Sequence, residues 1–310
     1  MELSELKWFT IINPLSGGGK ATKLWKKLKP LIESSGVNIE FAETKFHKHA
    51  VELVQAALQA GGRHILIIGG DGSANEVVNG IMQYADRPEE ITVAMISVGT
   101  GNDWVRTIGA PDNLDAVARS LKANQSFLHD VGIIEYYKNK ISEKRYFINI
   151  AGIGFDGLVT YKVSKGMGAF NKSKFRYWIG ILQTLFSYKH TMATYTIDGK
   201  ICKIQTLSVA AGICNYNGGG MMQLPFAKYN DGLLDISVIG EMSKLKMIFS
   251  LPKLRNGSFV NMAAVKTFQA KEIAIHTAKP IRVEADGEYL GFTPVNIRII
   301  PDCISILVWK

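Results

Sequence analysis

The sequence predicts an α/β domain followed by an all-β domain, and three observations support this fold class. Strand-like apolar runs alternate with segments of helical period over the first 130 residues. After about residue 130, β-branched runs are separated by Gly, Asn and Asp, with little helical pattern between them. The chain has 310 residues, which exceeds the usual size of one domain. We therefore expect an N-terminal α/β domain with a mostly parallel sheet and a C-terminal antiparallel β-sandwich.

The first half contains four predicted strands, each a short run of β-branched or apolar residues. They are WFTIIN (8–13), NIEFAE (38–43), HILIIG (64–69) and ITVAMIS (91–97). The spacing of apolar residues between them predicts helices over residues 20–33, 47–60 and 73–84. This alternation is the βαβ series that builds a parallel sheet.

The second half reads as a succession of strands. The strand-like runs cover residues 145–155, 192–213, 233–240, 272–291 and 295–309. One of them is interrupted by Asp198-Gly199, which predicts a hairpin because this pair readily takes the positive φ of a type I′ turn.

The cysteines and the N-terminus indicate a cytoplasmic protein. Cys202, Cys214 and Cys303 have neither a disulfide framework nor metal-ligand spacing, so we expect reduced and buried side chains. The first residues, MELSELKWFTIINP, carry acids where a signal peptide needs basic residues. No apolar run approaches the roughly 18 residues of a membrane span.

The positive charge is concentrated in the second half of the chain. The net charge of +9 divides into −3 over residues 1–135 and +12 over residues 136–310. The segment 161–190 has five lysines, one arginine and no acid, and it is rich in aromatic residues. It therefore favours an anionic surface such as a bilayer or a nucleic acid. The alternative to a membrane contact, for the part FRYWIGILQTLF (175–186), is a helix that packs in the protein core.

The stretch LIIGGDGSANEVVNG (66–80) places glycines around an acid between a strand and a helix. Gly70 and Gly72 would let the backbone approach a ligand, and the helix would aim its first N–H groups at it, so an anion such as phosphate fits there. The alternative is a tight turn in which Asp71 or Ser73 caps the helix.

Two further glycine-rich loops occupy equivalent places in the predicted sheet. NPLSGGGK (13–20) follows the first strand, and SVGTGNDWVR (97–106) follows the fourth. In a parallel sheet, the loops after these strands emerge at the same carboxyl edge as the loop at 70–73. Open α/β sheets bind ligands at that edge, so the three loops together predict a phosphate site.

These loops resemble the diacylglycerol kinase catalytic domain, which soluble bacterial lipid kinases share with sphingosine kinases. The matching elements are Asn13-Pro14, Ser16-Gly17, GGDGSANEVVNG (69–80) and GTGNDWVR (99–106). GGDG also occurs in phosphofructokinases and NAD kinases, whereas GTGND selects the lipid kinase branch. Ser73 departs from the Thr that is commonest there.

The resemblance implies an ATP-dependent lipid kinase that uses Mg²⁺ and phosphorylates the hydroxyl of diacylglycerol or a related lipid alcohol. Residues 1–130, completed by 297–310, would form a nucleotide-binding domain similar to phosphofructokinase and NAD kinase. Residues 131–296 would form the β-sandwich that takes the lipid.

The resemblance also implies functional residues in both halves. Those expected around the nucleotide are Asn13, Pro14, Ser16, Gly17, Thr44, Gly70, Asp71, Gly72, Ser73, Asn75, Glu76, Thr100, Asn102 and Asp103. Asp71 is the catalytic candidate for organising Mg²⁺, which prefers hard carboxylate oxygens. In EADGEYLG (284–291), Glu288 is expected as general base, with Asp286 as a second catalytic acid beside it. The alternative for Asp286-Gly287 is a hairpin turn.

A structural Mg²⁺ site is implied by KYNDGLLD (228–235). Its ligand positions would be Lys228, Asp231 and Leu233, two of them through backbone carbonyls. Asp130 in HDVGI (129–133) matches another acid of the family, placed near the metal network. By residue type alone, either aspartate suits a turn or a helix cap.

Two other functions remain open: a soluble-metabolite kinase of the NAD kinase or phosphofructokinase type, and a non-catalytic nucleotide-binding regulator whose basic face binds nucleic acid. GTGND argues against the first, and Glu288 against the second, because a pure binder needs no base. The expected partners are a lipid substrate and an anionic bilayer contacted peripherally, without a transmembrane span; nucleic acid is disfavoured, and a homodimer is compatible with the sequence.

Overall fold

The structure is a computed structural model that describes the backbone of residues 6–99, 101–166 and 174–310, and their side chains other than those of 174–178. The chain divides into two compact units. The first unit contains the described residues up to Val131 together with Pro301–Lys310, and the second contains Gly132–Ile300.

Strands and helices alternate along the first unit. Their bounds are β1 (Lys7–Ile12), α1 (Lys20–Ser34), β2 (Asn38–Glu43), α2 (His49–Gln59), β3 (His64–Gly69), α3 (Asp71–Tyr84), β4 (Thr92–Ser97), α4 (Asp103–Ile108), α5 (Leu114–Ala123), the start of β5 (Ser126–Lys138) and the end of β16 (Glu288–Leu307). The four predicted strands and three predicted helices are all present, with ends within two residues of the predicted ones.

The sheet of the first unit is parallel, as predicted, in the order β16, β4, β3, β1, β2. The register pairs Ile12 of β1 with Ile68 of β3, and Gly69 of β3 with Ser97 of β4. The carboxyl ends of β1, β3 and β4 are therefore level, and the loops that follow these strands leave from one edge.

An apolar core holds this sheet against α1 and α5. Trp8 of β1 is fully buried, with Leu28 of α1 and Leu121 of α5 in the same cluster. The Trp8 indole Nε1 donates to the Leu121 carbonyl at 3.3 Å. Burying side chains of this size stabilises the fold by about 1.5–3 kcal/mol each, so this core stabilises the sheet that carries the loops.

The second unit is mainly antiparallel β-structure, as predicted. Its elements are the rest of β5, β6 (Ile141–Phe147), β7 (Ile150–Gly154), α6 (Phe155–Ser164), α7 (Lys174–Ser187), β8 (Thr191–Ile197), β9 (Lys200–Gly212), β10 (Tyr216–Asn217), β11 (Met221–Met222), β12 (Leu234–Gly240), α8 (Lys244–Arg255), β13 (Val265–Ala270), β14 (Glu272–Thr277), β15 (Arg282–Ala285) and most of β16. Strands β13, β12, β9, β7, β15 and β16 are neighbours in that order, and each pair is antiparallel.

The hairpin predicted at Asp198-Gly199 joins β8 to β9. Asp198 has a φ of 42° and Gly199 a φ of 79°, the two positive values of a type I′ turn. The strand-rich pattern of the sequence did not predict α6 and α8, which are inserted between strands.

Two expectations about burial, for the cysteines and for the segment 175–186, can be compared with the structure. All three cysteines are free, but Cys202 is only half-buried, because it lies near the start of β9, where side chains are partly exposed. In α7, Ile181 and Leu185 are buried, which supports the core-packing alternative for this helix. Among the described residues, no helix is both long and apolar enough to cross a membrane.

Candidate active site

Three loops of the first unit meet at the carboxyl edge of the sheet. A Cβ built on Gly70 would lie 3.5 Å from the Cα of Gly99 and 3.9 Å from the Oγ of Ser16. The Nδ2 of Asn13 donates to the Oγ of Ser73 at 3.2 Å. The structure thus brings the loops after β1, β3 and β4 together, as their positions in the sequence predict.

The glycines of these loops differ in their surroundings: Gly17 is tightly packed, whereas Gly72 has free space beside its backbone. Gly17 has a φ of 61°, and a Cβ there would lie 2.2 Å from the Val98 carbonyl oxygen, so a side chain would force the loops apart. A Cβ on Gly72 would have no atom within 4 Å. The backbone at Gly72 is therefore open to a ligand.

The N-terminus of α3 lies at this convergence. The helix begins at Asp71, with Gly70 as N-cap, and the Gly70 carbonyl accepts the N–H groups of Ser73 at 2.9 Å and Ala74 at 3.2 Å. The amides of Asp71 and Gly72 precede these first intrahelical bonds, so they are directed out of the helix end. Such an end attracts anions through its N–H groups and through the positive end of the helix dipole.

The Asp71 carboxylate joins α3 to the first turn of α4. Its Oδ2 accepts the N–H of Asp103 at 3.2 Å, and its Oδ1 accepts the N–H of Trp104 at 3.3 Å. The alternative, in which Asp71 or Ser73 caps α3, is wrong, because the N-cap is Gly70 and no side chain caps this helix; Asp71 instead caps α4. A carboxylate has about four acceptor positions, so these two bonds leave capacity for a cation.

Asn102 and Asp103 complete the third loop. Asn102 has a φ of 55°, and its Oδ1 accepts a hydrogen bond from Ser97 Oγ. Asp103 is buried and lies 3.9 Å from the guanidinium of Arg106. Both side chains thus shape the loop. Thr100 lies outside the described residues.

Trp104 ties this loop to a buried histidine that the sequence reasoning missed. Its Nε1 donates to His129 Nε2 at 3.3 Å, and the Nδ1 of His129 bonds to the Asp130 carbonyl. Complete burial lowers the pKa of His129 to about 4, so it is neutral at pH 7. Asp130 accepts the N–H of Asp302 through Oδ1 at 2.8 Å, so its carboxylate contacts the backbone of the returning strand within the first unit.

Other predicted nucleotide contacts have structural partners as well. Thr44 donates its N–H to the Ile12 carbonyl at 2.8 Å, which holds it beside the first loop. The Oε1 of Glu76 accepts the N–H of Lys48 at 2.9 Å. Asn75 is fully buried and accepts a hydrogen bond from Asn79 Nδ2. Because its side chain is not exposed, the structure does not support its predicted contact with a nucleotide. Pro14 is half-buried in the first loop.

In the second unit, a type I′ turn joins β15 to β16. Asp286 and Gly287 have φ values of 49° and 79°, as the hairpin alternative predicts. The carboxylate of Asp286 accepts three backbone N–H groups: Oδ2 takes that of Ile148 at 3.0 Å, and Oδ1 takes those of Asn149 at 3.0 Å and Ile150 at 3.2 Å. Asp286 therefore fixes the turn to the start of β7.

Glu288 follows this turn as the first residue of β16. Its Oε2 lies 3.0 Å from Nη2 of Arg145 on β6, a partner that the sequence reasoning did not identify. The Glu288 side chain is 26% exposed, against 12% for Arg145. The arginine thus orients a carboxylate that solvent or a substrate can reach.

Behind the turn lies a buried network that links two carboxyl groups through two amides. Glu284 accepts the N–H of Gly287 at 2.9 Å and the Nδ2 of Asn217 at 3.2 Å. Asn217 Nδ2 also bonds Oε1 of Gln223 at 3.4 Å, and Gln223 Nε2 donates to Asp156 at 3.1 Å. Burial raises the pKa of Glu284 to about 8 and that of Asp156 to about 6. No motif marks this network in the sequence, and its bond to Gly287 supports the turn that carries Glu288.

The predicted structural metal loop also lies in the second unit. The exposed Asp231 accepts the N–H of Leu233 through Oδ1 at 3.1 Å, which is the turn predicted as the alternative. Burial raises the pKa of the neighbouring Asp235, and the charge of Asp231 raises it further. Asp235 is buried and accepts from Nε2 of Gln269 at 3.4 Å, whereas the exposed Asp231 carboxylate keeps further acceptor positions of the kind that a hard cation prefers. Asp130, expected near the metal network, belongs to the first unit.

Both parts of the chain match known families. Residues 7–134 match the diacylglycerol kinase catalytic domain, and residues 149–308 match the YegS C-terminal NAD kinase beta sandwich-like domain. The chain is similar to a diacylglycerol kinase of Mycobacterium tuberculosis, 29% identical over 301 residues, which covers 96% of this chain and 93% of that protein. It is similar to the putative lipid kinase YtlR of Bacillus subtilis, 27% identical over 311 residues, covering 96% and 98%. A crystal structure of a putative diacylglycerol kinase from Bacillus anthracis superposes with a TM-score of 0.79 at 25% identity, covering 100% of this chain and 97% of that one.

Proposed function

Because the chain belongs to the diacylglycerol kinase catalytic domain family, we propose that it transfers the γ-phosphoryl group of ATP to the hydroxyl of diacylglycerol or a related lipid alcohol. The observation that carries this proposal is the convergence of three glycine-rich loops at the N-terminus of α3. The open backbone at Gly72 and the outward N–H groups of α3 suit the phosphates of a nucleotide.

In this proposal, the first unit binds the nucleotide. The contacts would come from Ser16, Gly70, Gly72 and the hydroxyl of Ser73, which Asn13 orients through its bond of 3.2 Å. Because these groups are fixed by the sheet edge and by their mutual contacts, they would hold the phosphates without reorganisation.

Asp71 is the proposed metal-binding acid of the first unit. Its two bonds to the first N–H groups of α4 fix the carboxylate and leave acceptor positions for a cation. Mg²⁺, when bound, supplies charge neutralisation at the phosphates. The residues present fit that role, since Mg²⁺ binds through one or two carboxylates and keeps several waters.

Glu288 is the proposed general base. It would accept the proton of the lipid hydroxyl as the oxygen attacks phosphorus. Its guanidinium partner Arg145 fixes the carboxylate, and Asp286 fixes the turn before it through three backbone bonds. We therefore propose a positioning role for Asp286 in place of the direct catalytic role expected from the sequence.

In addition to the catalytic residues, we propose a structural Mg²⁺ site at Lys228, Asp231 and Leu233. The exposed carboxylate of Asp231, which accepts the N–H of Leu233 and keeps further acceptor positions, supports it. We also propose that the enzyme works from the cytoplasm as a peripheral protein, because its lipid substrate lies in a bilayer and the second half of the chain carries a net charge of +12.

Phosphoryl transfer from labelled ATP to a panel of lipid vesicles tests the proposal. The panel contains diacylglycerol, phosphatidylglycerol, a sphingoid base and a vesicle without acceptor, with NAD and a sugar phosphate assayed in parallel. We expect label in the lipid fraction, with diacylglycerol or a related alcohol as the best acceptor. Label in NAD or the sugar phosphate alone would favour a soluble-metabolite kinase, and ATP binding without any transfer would favour a nucleotide-binding regulator.

A further inference from the structure

Helix α8 of the second unit exposes two large apolar side chains on one face. Leu245 is 66% exposed and Phe249 is 78% exposed. They are four residues apart, so they lie next to each other along the helix surface. The opposite side faces inward, where Met247 is buried in a cluster with Leu185 and Leu207. The helix therefore carries apolar residues on its outer side as well as on its inner side.

Basic side chains surround this outer face. Lys246, Lys253 and Arg255 are exposed, and residues 244–255 contain no acid. The nearest acid before the helix is Glu241, which precedes the N-cap Ser243.

A third exposed apolar residue lies beside α8. Phe186 near the end of α7 is 52% exposed, and the Nζ of Lys244 lies 6.0 Å from the centre of its ring. The outer surface thus consists of three apolar side chains, Leu245, Phe249 and Phe186, with cationic groups around them. We name these three residues with the basic residues of α8 the α8 surface.

The packing of α8 shows that this exposure is built into the fold. Ser243 caps the helix by accepting the N–H of Lys246 at 3.4 Å, and Met247 anchors its inner side. Single exposed apolar residues are common on protein surfaces. Two on consecutive turns of an acid-free helix, with a third on the adjacent helix, form an exposed apolar patch bordered by cations, which is the combination that suits an anionic lipid surface.

We propose that the α8 surface docks on an anionic bilayer, with Leu245 and Phe249 among the headgroups and acyl chains and with Lys246 and Lys253 at the phosphates. This inference rests on the proposed function, because a lipid acceptor requires the enzyme to reach a bilayer. Apolar side chains at the centre and cations at the margin match the depth profile of an interface, in which acyl chains lie below charged headgroups.

The α8 surface differs from the basic segment 161–190 that the sequence singled out. In that segment, Ile181 and Leu185 of α7 pack inward, and Lys162 donates to Thr184 at 3.0 Å within the unit. Phe186 is the described residue that connects the two regions. Among the other basic residues of the segment, Lys165 and Lys189 are exposed and remain available to an anionic surface. Lys172 lies outside the described residues, and the side chains of Lys174 and Arg176 are not described.

Co-sedimentation with vesicles, in the absence of ATP and of any acceptor lipid, tests the proposal. The vesicles contain phosphatidylcholine alone or with phosphatidylglycerol. Each basic group near an anionic leaflet contributes about 1 kcal/mol, which is roughly fivefold in the partition coefficient. Lys246→Gln with Lys253→Gln should therefore weaken binding to anionic vesicles by about 25-fold. Leu245→Ala with Phe249→Ala should weaken it by about tenfold or more, and this loss should persist at high salt.

The matched control is Ile201→Ala with Lys203→Gln on β9, which also removes one exposed apolar and one exposed basic side chain from the second unit. It should bind vesicles like the wild type. Equal binding by the α8 variants and the wild type would overturn the proposal, as would an equal loss in the control. Wild-type protein that sediments with RNA but not with anionic vesicles would overturn it as well.

A second readout separates this proposal from the proposed function. With a short-chain diacylglycerol below its critical micelle concentration, the α8 variants should keep wild-type turnover, whereas turnover of long-chain diacylglycerol in anionic vesicles should fall with binding. An inactive wild type that still binds vesicles through α8 would reject the lipid kinase function and retain the docking surface. Active variants that lose no vesicle turnover would reject the docking surface and retain the kinase function.

Discussion

Replacing Gly70 by Val tests whether the end of α3 binds phosphate. Gly70 has a φ of −123°, which Val adopts without strain, and a Cβ there would make ordinary contacts of 3.5 Å with Gly99 Cα and 3.9 Å with Ser16 Oγ. The fold should therefore persist. Val is a poorer N-cap than Gly, at a cost of up to about 1 kcal/mol, which lowers Tm by roughly 2–4 °C.

The same side chain should strongly impair nucleotide binding. Its methyl groups would occupy the space that a phosphate needs beside the helix end. Losing a single hydrogen bond to a charged phosphate costs about 1.5–3 kcal/mol, or roughly 10- to 150-fold in Kd. Titration calorimetry with ATP, together with thermal unfolding, measures both effects, and Ala60→Val at the exposed end of α2 is the control. A folded Gly70→Val variant with wild-type affinity for ATP would refute the assignment of these loops to phosphate.

Two further predictions concern the second unit. Asp231→Ala should lower Tm and abolish the increase in Tm that added Mg²⁺ gives the wild type. The control, Asp112→Ala in the first unit, should keep both the Tm and its increase with Mg²⁺. A wild-type Tm that responds neither to Mg²⁺ nor to a chelator would contradict the structural metal site. The free energy of unfolding should fall as pH rises from about 4.5 to 8, because burial raises the pKa of Glu284 to about 8 and the folded protein then binds a proton that the unfolded chain releases. Glu284→Gln should flatten this dependence in denaturant titrations, and an unchanged pH profile would show that Glu284 is ionised in the folded protein.

The elements around the loops were predictable because local sequence decides them. Strands such as HILIIG are continuous apolar runs, as buried parallel strands require, and the carboxyl edge then follows from the βαβ order. The hairpins at Asp198-Gly199 and Asp286-Gly287 were predictable for the same reason, since the turn type selects the residue pair.

The partners of the candidate site residues were not predictable in this way. The pairing of Glu288 with Arg145 depends on the register of antiparallel strands that are distant in sequence. Glu284 looks like any other acid of a strand, and only the fold shows that it is buried beside Asn217. The resemblance to lipid kinases identified Asp286, but its three backbone bonds, which indicate a positioning role, appear only when β7 lies beside the turn.

If Glu288 is the general base of phosphoryl transfer, Glu288→Gln should remove most of the activity. The amide keeps the size of the side chain and cannot accept the proton, so kcat for the lipid acceptor should fall by about 10²- to 10⁴-fold while the Kd of ATP changes little. Glu272→Gln, an exposed position on β14, is the control and should keep wild-type turnover. The measurement is single-turnover transfer of label from ATP to diacylglycerol in anionic vesicles. A Glu288→Gln variant that transfers label at the wild-type rate would contradict the account.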